Sequence, residues 1–299
     1  MDKRFLGRTG MAVTPIGFGG AEIGYQQAAQ ESVNRLLNEA LDLGMNVIDT
    51  AECYPGSEEL IGKAVAHRRA DFFLFTKCGH DGKSFNLPNW DLRLLQQQID
   101  RSLTRLNTDR LDLLQIHSCT LEQLRQGDIL AVVKKARDAG KTRFIGYSGD
   151  SAAARWAAES GEFDTLQTSV NIADQEAIDL TLPLCASRGM GVIAKRPVAN
   201  VAWKNQGQFL GGYDRVYWER VQKLKYPFLE RPVGEAVAKA LRFTLSCPGV
   251  TVAIAGTAKP GRFKENAEAV KAGPLAPAEF DAIRKRWKEV AEPDWTGQT

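Results

Sequence analysis

Eight times along this chain a short apolar run is followed by a stretch of helical spacing, and that repeat limits the fold more than any other feature. The runs are Ile16–Phe18, MNVIDT (45–50), FFLFTK (72–77), LDLLQIH (111–117), TRFIGYS (142–148), TLQTSV (165–170), MGVIAKRP (190–197) and VTVAIAG (250–256). The segments between them predict helices. These are Gln30–Leu43, SEELIGKAVAHR (57–68), LRLLQQQIDRSLTRL (92–106), LEQLRQGDILAVVKKARDAG (121–140), AAARWAAES (152–160), AIDLTLPLCASRG (177–189), GEAVAKALRFTLSC (234–247) and one opening near Arg262. Ser57 is placed to cap the second of these, and Gly140 to close the fourth. Near-continuous apolar strands are covered on both faces, and eight parallel strands close into a barrel that leaves no edge. An open doubly wound sheet would call for a G-x-G-x-x-G turn after its first strand, and IGFGGAEIG lacks that spacing. The expectation is an α/β chain, one (β/α)8 TIM barrel over 1–299. An N-terminal β-hairpin would form in KRFLGRTGMAVTPIGFGG and an extra C-terminal helix in EFDAIRKRWKEV (279–290). Two segments exceed the minimal repeat: an aromatic connection at 200–232, holding Trp203, Phe209, Tyr213, Tyr217, Trp218 and Tyr226, and a tail at 276–299.

Composition narrows the partners. The 299 residues carry 39 basic and 36 acidic side chains, a formal net charge of +3, and so near a balance gives no reason to expect nucleic acid. The densest basic stretch, KAVAHRR (63–69), reads as the polar end of a helix. With no charged start ahead of an apolar run and no stretch of ~20 apolar residues, neither a signal peptide nor a membrane span is expected, and the setting would be cytoplasmic. The five cysteines, Cys53, Cys78, Cys119, Cys185 and Cys247, are scattered without a C-x-x-C pair, which fits a reducing compartment. Three lie beside candidate site residues. They read as small buried groups or, more sharply, as thiols at a mouth that oxidation could block.

Three successive runs end on a polar residue: Asp49, Lys77 and His117. In a βα barrel the C-terminal strand ends build the active site, and neighbouring strands lie only ~4.8 Å apart. Tyr54 follows Asp49 by five positions in NVIDTAECYPG, close enough to fold back over the opening. Taken singly, Asp49 reads as a turn residue and Tyr54 as loop packing. Lys77 and His117 close apolar strands and must find partners. A free phenol titrates near ~10, and a nearby Lys77 ammonium is expected to lower that. Asp49 would hold Lys77 charged, in a pair costly to break, and His117 would bond a carbonyl oxygen or share proton transfer. The group suits negative charge growing on oxygen. Ser118 and Cys119 form no ordered nucleophile arrangement, and His67, His80 and His117 share no metal-binding face, so an external reductant is implied and no metal is expected.

With these residues the chain closely resembles the aldo-keto reductase family over essentially its full length. Asp49, Tyr54, Lys77 and His117, in NVIDTAECY, FLFTK and DLLQIHS, match the family's catalytic tetrad. The resemblance implies an oxidoreductase using a nicotinamide dinucleotide without a Rossmann domain, and a hairpin that plugs the barrel bottom. It assigns Ser148 and Gln167 to the nicotinamide carboxamide, with Gly149 where an asparagine is usual. It places Lys195 where many members stack a tyrosine under the ring, so the lysine stem or another residue would support the ring, or its charge, or that of Arg196, would reach the diphosphate. At the adenosine end it assigns Gly256, Thr257, Lys259, Arg262, Glu265 and Asn266, with Arg262 on the 2′-phosphate. NADPH/NADP+ is therefore expected ahead of NADH.

The expected reaction is reduction of a small-molecule aldehyde or ketone to an alcohol, Tyr54 acting as general acid. Trp90, Trp203 and Trp218 are candidates for an apolar substrate wall. One alternative is an NADPH-binding sensor subunit with little turnover. Another is a barrel aldolase or isomerase with Lys77 as a Schiff base. A barrel needs no partner to cover edges, so a monomer is the default expectation.

Overall fold

Side chains of a strand alternate between its two faces, and in a closed barrel that alternation decides which residues meet on the axis. The structure, a computed structural model, describes residues 1–81, 85–205, 207–208 and 212–299. Strands β1 (Arg4–Phe5) and β2 (Ala12–Val13) form an antiparallel hairpin. The next eight are β3 (Ile16–Gly19), β4 (Val47–Asp49), β5 (Phe73–Cys78), β6 (Leu111–His117), β7 (Thr142–Ser148), β8 (Thr165–Ser169), β9 (Gly191–Lys195) and β10 (Val250–Gly256). They pair in chain order, all parallel, and β10 returns to β3 to close the barrel. With the hairpin and the extra helix Pro277–Val290, this is the TIM barrel the repeat predicts.

The barrel interior is layered. Val47, Phe75, Leu113, Ile193, Val252 and Ile254 form an apolar layer, and Leu6, Met11 and Val13 of the hairpin region seal it from below. Leu6 packs so closely that a Cβ on Gly191 would lie 2.7 Å from its side chain. Two residues further along each of these strands the inward positions are Asp49, Lys77, Gln115, Lys195 and Gly256. The barrel is thus plugged with hydrocarbon at one end and polar at the other. A larger apolar core fills the space between the strands' outer faces and the surrounding helices.

Three local expectations are corrected. The helix expected over 121–140 is two, Leu121–Gln126 and Asp128–Asp138, broken at Gly127, whose φ of 84° is left-handed. The segment 177–189 is also two short helices, Glu176–Leu180 and Leu182–Ser187, because Pro183 cannot donate into a continuous helix and starts a new one instead. Ser57 does not cap its helix, whose N-cap is Gly56. Its hydroxyl donates to the Gly20 carbonyl at 2.7 Å and shares a 2.9 Å bond with Thr50, tying the end of β3 to the loop that carries Tyr54. The long connection holds the helix Gly212–Leu224 and buries Tyr217 and Tyr226; Phe209 lies outside the described residues. No helix among the described residues is long and apolar enough to cross a membrane.

Glu58, in the helix Ser57–Val65, is buried against β5 and accepts a 2.7 Å bond from Thr76. Burial pushes its carboxyl up to about 7. That lies above the unfolded value of ~4.3, so the folded state holds the proton longer and stability falls as pH rises through this window. Glu58→Gln is expected to stabilise the protein at pH 8 by on the order of 1–3 kcal/mol and to change little at pH 4. Thermal melts at the two pH values check this.

Candidate active site

The polar layer is organised around one ion pair. Lys77 Nζ lies 2.5 Å from Asp49 Oδ2 and 2.8 Å from the Thr50 carbonyl, with both side chains buried. A buried pair holds only when its remaining lone pairs are satisfied. Here Asp49 Oδ1 accepts from Gln115 at 3.0 Å and from Gln167 at 2.9 Å. Gln167 in turn accepts from the Ser148 hydroxyl at 3.1 Å. Strands β4, β5, β6, β7 and β8 thus meet in one network. Gln115 was not anticipated. Its signal was parity, as a lone inward amide two residues before His117.

Above the pair lies Tyr54, its ring centroid 5.4 Å from Lys77 Nζ and 5.8 Å from the His117 ring. All four tetrad residues are therefore together. The expected acidity of Tyr54 is corrected: burial and the Asp49 charge raise its phenol well above the ordinary value. The reason is geometric, since the ammonium faces the ring and its charge is balanced by a carboxylate 2.5 Å away. His117 moves the other way. Burial, then the charge of Lys77, hold its imidazole well below the usual range, so it is neutral at pH 7.

His117 Nδ1 meets Cys53 Sγ at 3.5 Å. Burial pushes the Cys53 thiol up to about 11, so it stays an S–H group, and either the thiol or the ring nitrogen can be the donor in this contact. Cys78 and Cys119 are fully buried and also raised by burial. Reactive cysteines have depressed values, so these thiols fit the reading as small buried groups.

The cofactor candidates line the rim from β7 to β10. Lys195 is paired with Asp150 at 2.7 Å; burial lowers its ammonium to about 8. Asp150, which the sequence reading passed over, also accepts from Thr168 and from the Ser169 backbone, both at 2.7 Å. Gly149 has no room for a side chain, because a Cβ there would come within 2.5 Å of the Tyr147 hydroxyl. Arg196 stacks on Tyr213, 3.7 Å from the ring centroid, and donates to Ser169 at 3.2 Å. Residues 296–299 form a strap over this rim. The Gln298 carbonyl accepts from Arg196 and Ser169, Thr299 donates to Asp150 at 3.1 Å, and Arg220 holds the Thr296 carbonyl at 2.8 Å.

At the far end Thr257 accepts from the Lys259 backbone at 3.0 Å. Arg262 opens the helix Arg262–Lys271 and pairs with Glu265, and Asn266 is buried on the same helix. The space beside Gly256 is taken by Glu22, whose Oε2 would lie 1.6 Å from a Cβ there. Of the three tryptophans, Trp90 reaches the site through His80, whose ring it meets at 5.0 Å and which lies 5.1 Å from His117. Trp203 and Trp218 pack partly buried against the outer core.

A plugged parallel barrel, with phenol, imidazole and a buried lysine–aspartate pair at its open end, defines a barrel oxidoreductase. The model of the Aldo/keto reductase family matches residues 15–288, and the chain belongs to that family. It is similar to an uncharacterized oxidoreductase of Bacillus subtilis, YqkF, with 26% identity covering 97% of each chain. It is also similar to an L-galactose dehydrogenase of Arabidopsis thaliana, with 27% identity over 90% of this chain and 88% of that one. Among solved structures, the aldo-keto reductase AKR11C1 from Bacillus halodurans in its holo form superposes with a TM-score of 0.82, at 26% identity and 99% coverage of both chains. The protein is an NAD(P)H-dependent oxidoreductase of this family.

Lys77→Met is expected to destabilise the fold by about 3–5 kcal/mol, because it strands the Asp49 charge. The double change with Asp49→Asn should cost less than the sum of the single changes. Denaturant melts of the four proteins close that cycle.

Proposed function

We propose that the protein reduces an aldehyde or ketone to the alcohol with NADPH, Tyr54 serving as the proton donor. The observation that carries this reading is the Lys77–Asp49 pair buried beneath Tyr54 with the His117 ring alongside. NADPH, when bound, supplies the hydride. The chain's own groups handle the oxygen. A phenol pushed up by burial stays protonated and donates to the carbonyl oxygen. An alkoxide is far more basic than a phenolate, so the proton moves readily once charge develops there. Lys77, facing the ring, stabilises the phenolate left behind. His117 would donate from Nε2 to the same oxygen and fix its approach.

The rim suits the dinucleotide. Ser148 and Gln167 offer donors and an acceptor for a carboxamide. Arg196, Lys259, Thr257 and Arg262 supply the cations and the hydroxyl that phosphates need. Arg262 beside a terminal 2′-phosphate favours NADPH over NADH, and Glu265 is the partner that phosphate would displace. Lys195 contributes its stem beneath the ring, since its amine is engaged by Asp150. Lys77 is paired twice, which argues against a Schiff-base lysine. The L-galactose dehydrogenase among the relatives places hydroxylated aldehydes and their cyclic forms beside simple aldehydes and ketones as substrates to assay.

Tyr54→Phe is expected to lower kcat about 10²-fold to 10⁴-fold while NADPH affinity, read by fluorescence titration, stays within about twofold. Comparable turnover in that variant would remove Tyr54 from the chemistry. Arg262→Ala should weaken NADPH binding about tenfold, the loss of one charge-assisted contact, and leave NADH binding nearly unchanged. Equal losses for both nucleotides would count against the 2′-phosphate assignment.

A further inference from the structure

One imidazole at the mouth has no part in the proton transfer above. Trp90, His80, His117 and Tyr54 form a continuous row of rings, each meeting the next edge to face. The centroid separations are 5.0, 5.1 and 5.8 Å, and the interplanar angles 70°, 78° and 82°. His117 lies inside that row, between His80 and Tyr54, with Cys53 on its Nδ1. A ring turning about its last side-chain bond is stopped on both sides by such neighbours. We propose that His80 is a positioning residue, the outer jaw of a clamp that holds the His117 imidazole with Nε2 toward the substrate oxygen.

His80 is itself held more firmly than a loop residue needs to be. β5 is followed by Gly79, whose φ of 130° turns the chain. Trp90 lies against that glycine so closely that a Cβ would meet the indole at 1.9 Å, and the Trp90 backbone N–H donates to the Gly79 carbonyl at 2.9 Å. Gln98, buried in the helix Leu92–Arg105, accepts from the Gly79 N–H at 2.8 Å and donates to the His80 carbonyl at 2.7 Å. The same amide donates to Glu52 at 2.7 Å, and Arg101 and Arg105 anchor that carboxylate. The His80 ring has its own guide. Asn89 accepts from the Asp81 N–H at 2.7 Å, which turns its amide nitrogen toward His80 Nδ1 at 3.3 Å. Burial holds the His80 imidazole below its usual range, so the jaw is uncharged beside His117.

The inference rests on the carbonyl-reduction reading for its consequence, but not for its test. His80→Ala removes the jaw, and His80→Phe keeps a ring in the row. If the ring positions His117, His80→Ala lowers kcat about 10-fold to 100-fold, as misplacement of a catalytic group does. NADPH affinity should hold within about twofold, and His80→Phe should recover most of the loss. The second readout needs no turnover. The chain has 3 histidines, so ¹⁵N-imidazole spectra resolve each one. His117 should show a single neutral tautomer in the wild type and averaged nitrogen shifts in His80→Ala. If His80→Ala does not fold, Asn89→Leu, which removes two exposed hydrogen bonds, should still perturb the His117 signals. Wild-type kcat with unchanged His117 signals in His80→Ala overturns the proposal, as does a phenylalanine variant no better than the alanine one. A wild type inactive on every carbonyl tried, with His117 signals that still depend on His80, would sink the carbonyl-reduction reading and leave the clamp standing.

Discussion

The Lys77–Asp49 pair is the constraint to which the rest of the open barrel end answers. Two opposite charges removed from water are stable only when every remaining donor and acceptor is met. Gln115, Gln167 and the Thr50 carbonyl meet them here, and Ser148 is drawn in through Gln167. A site so connected has little freedom to relax, which suits groups that must present fixed dipoles to a developing charge. The pair also explains why Tyr54 departs from the simple expectation. An ammonium balanced by its carboxylate lowers a phenol less than a lone cation would, and burial with the Asp49 charge outweighs it.

Much of this is legible in the sequence alone. The apolar runs and their spacing specify eight strands, and the same alternation puts Asp49, Lys77 and His117 at one barrel end. Tyr54 follows from its distance to Asp49. Other features needed the folded chain. The breaks at Gly127 and Thr181 depend on local backbone choices that periodicity averages over. The jaw residue His80 lies in an irregular loop with no period to read. Asp150 looks like an ordinary turn residue until Lys195, 45 positions later, is seen to close on it. The direction of the Tyr54 shift depends on burial, which no motif carries.

The cofactor rim neutralises itself. Arg262 faces Glu265, Lys195 faces Asp150, and Glu22 fills the space beside Gly256. Two of the cations that the family resemblance assigns to the cofactor, Arg262 and Lys195, thus already have a carboxylate partner on this chain, while Arg196 is held by Ser169, the Gln298 carbonyl and Tyr213. At Arg262 and Lys195, binding a dinucleotide would mean exchanging partners, so affinity there would depend on how cheaply those carboxylates return to water. That differs in kind from the tetrad, where the partners are permanent.

The strap at 296–299 has a practical meaning for anyone handling the molecule. Its last residues are fastened to Asp150, Ser169 and Arg196, so whatever is attached beyond Thr299 emerges at the rim of the open end. The hairpin lies at the opposite, sealed end of the barrel. An affinity handle fused ahead of Arg4 would therefore leave the working face unencumbered, whereas the same handle at the other terminus would crowd the doorway through which ligands pass.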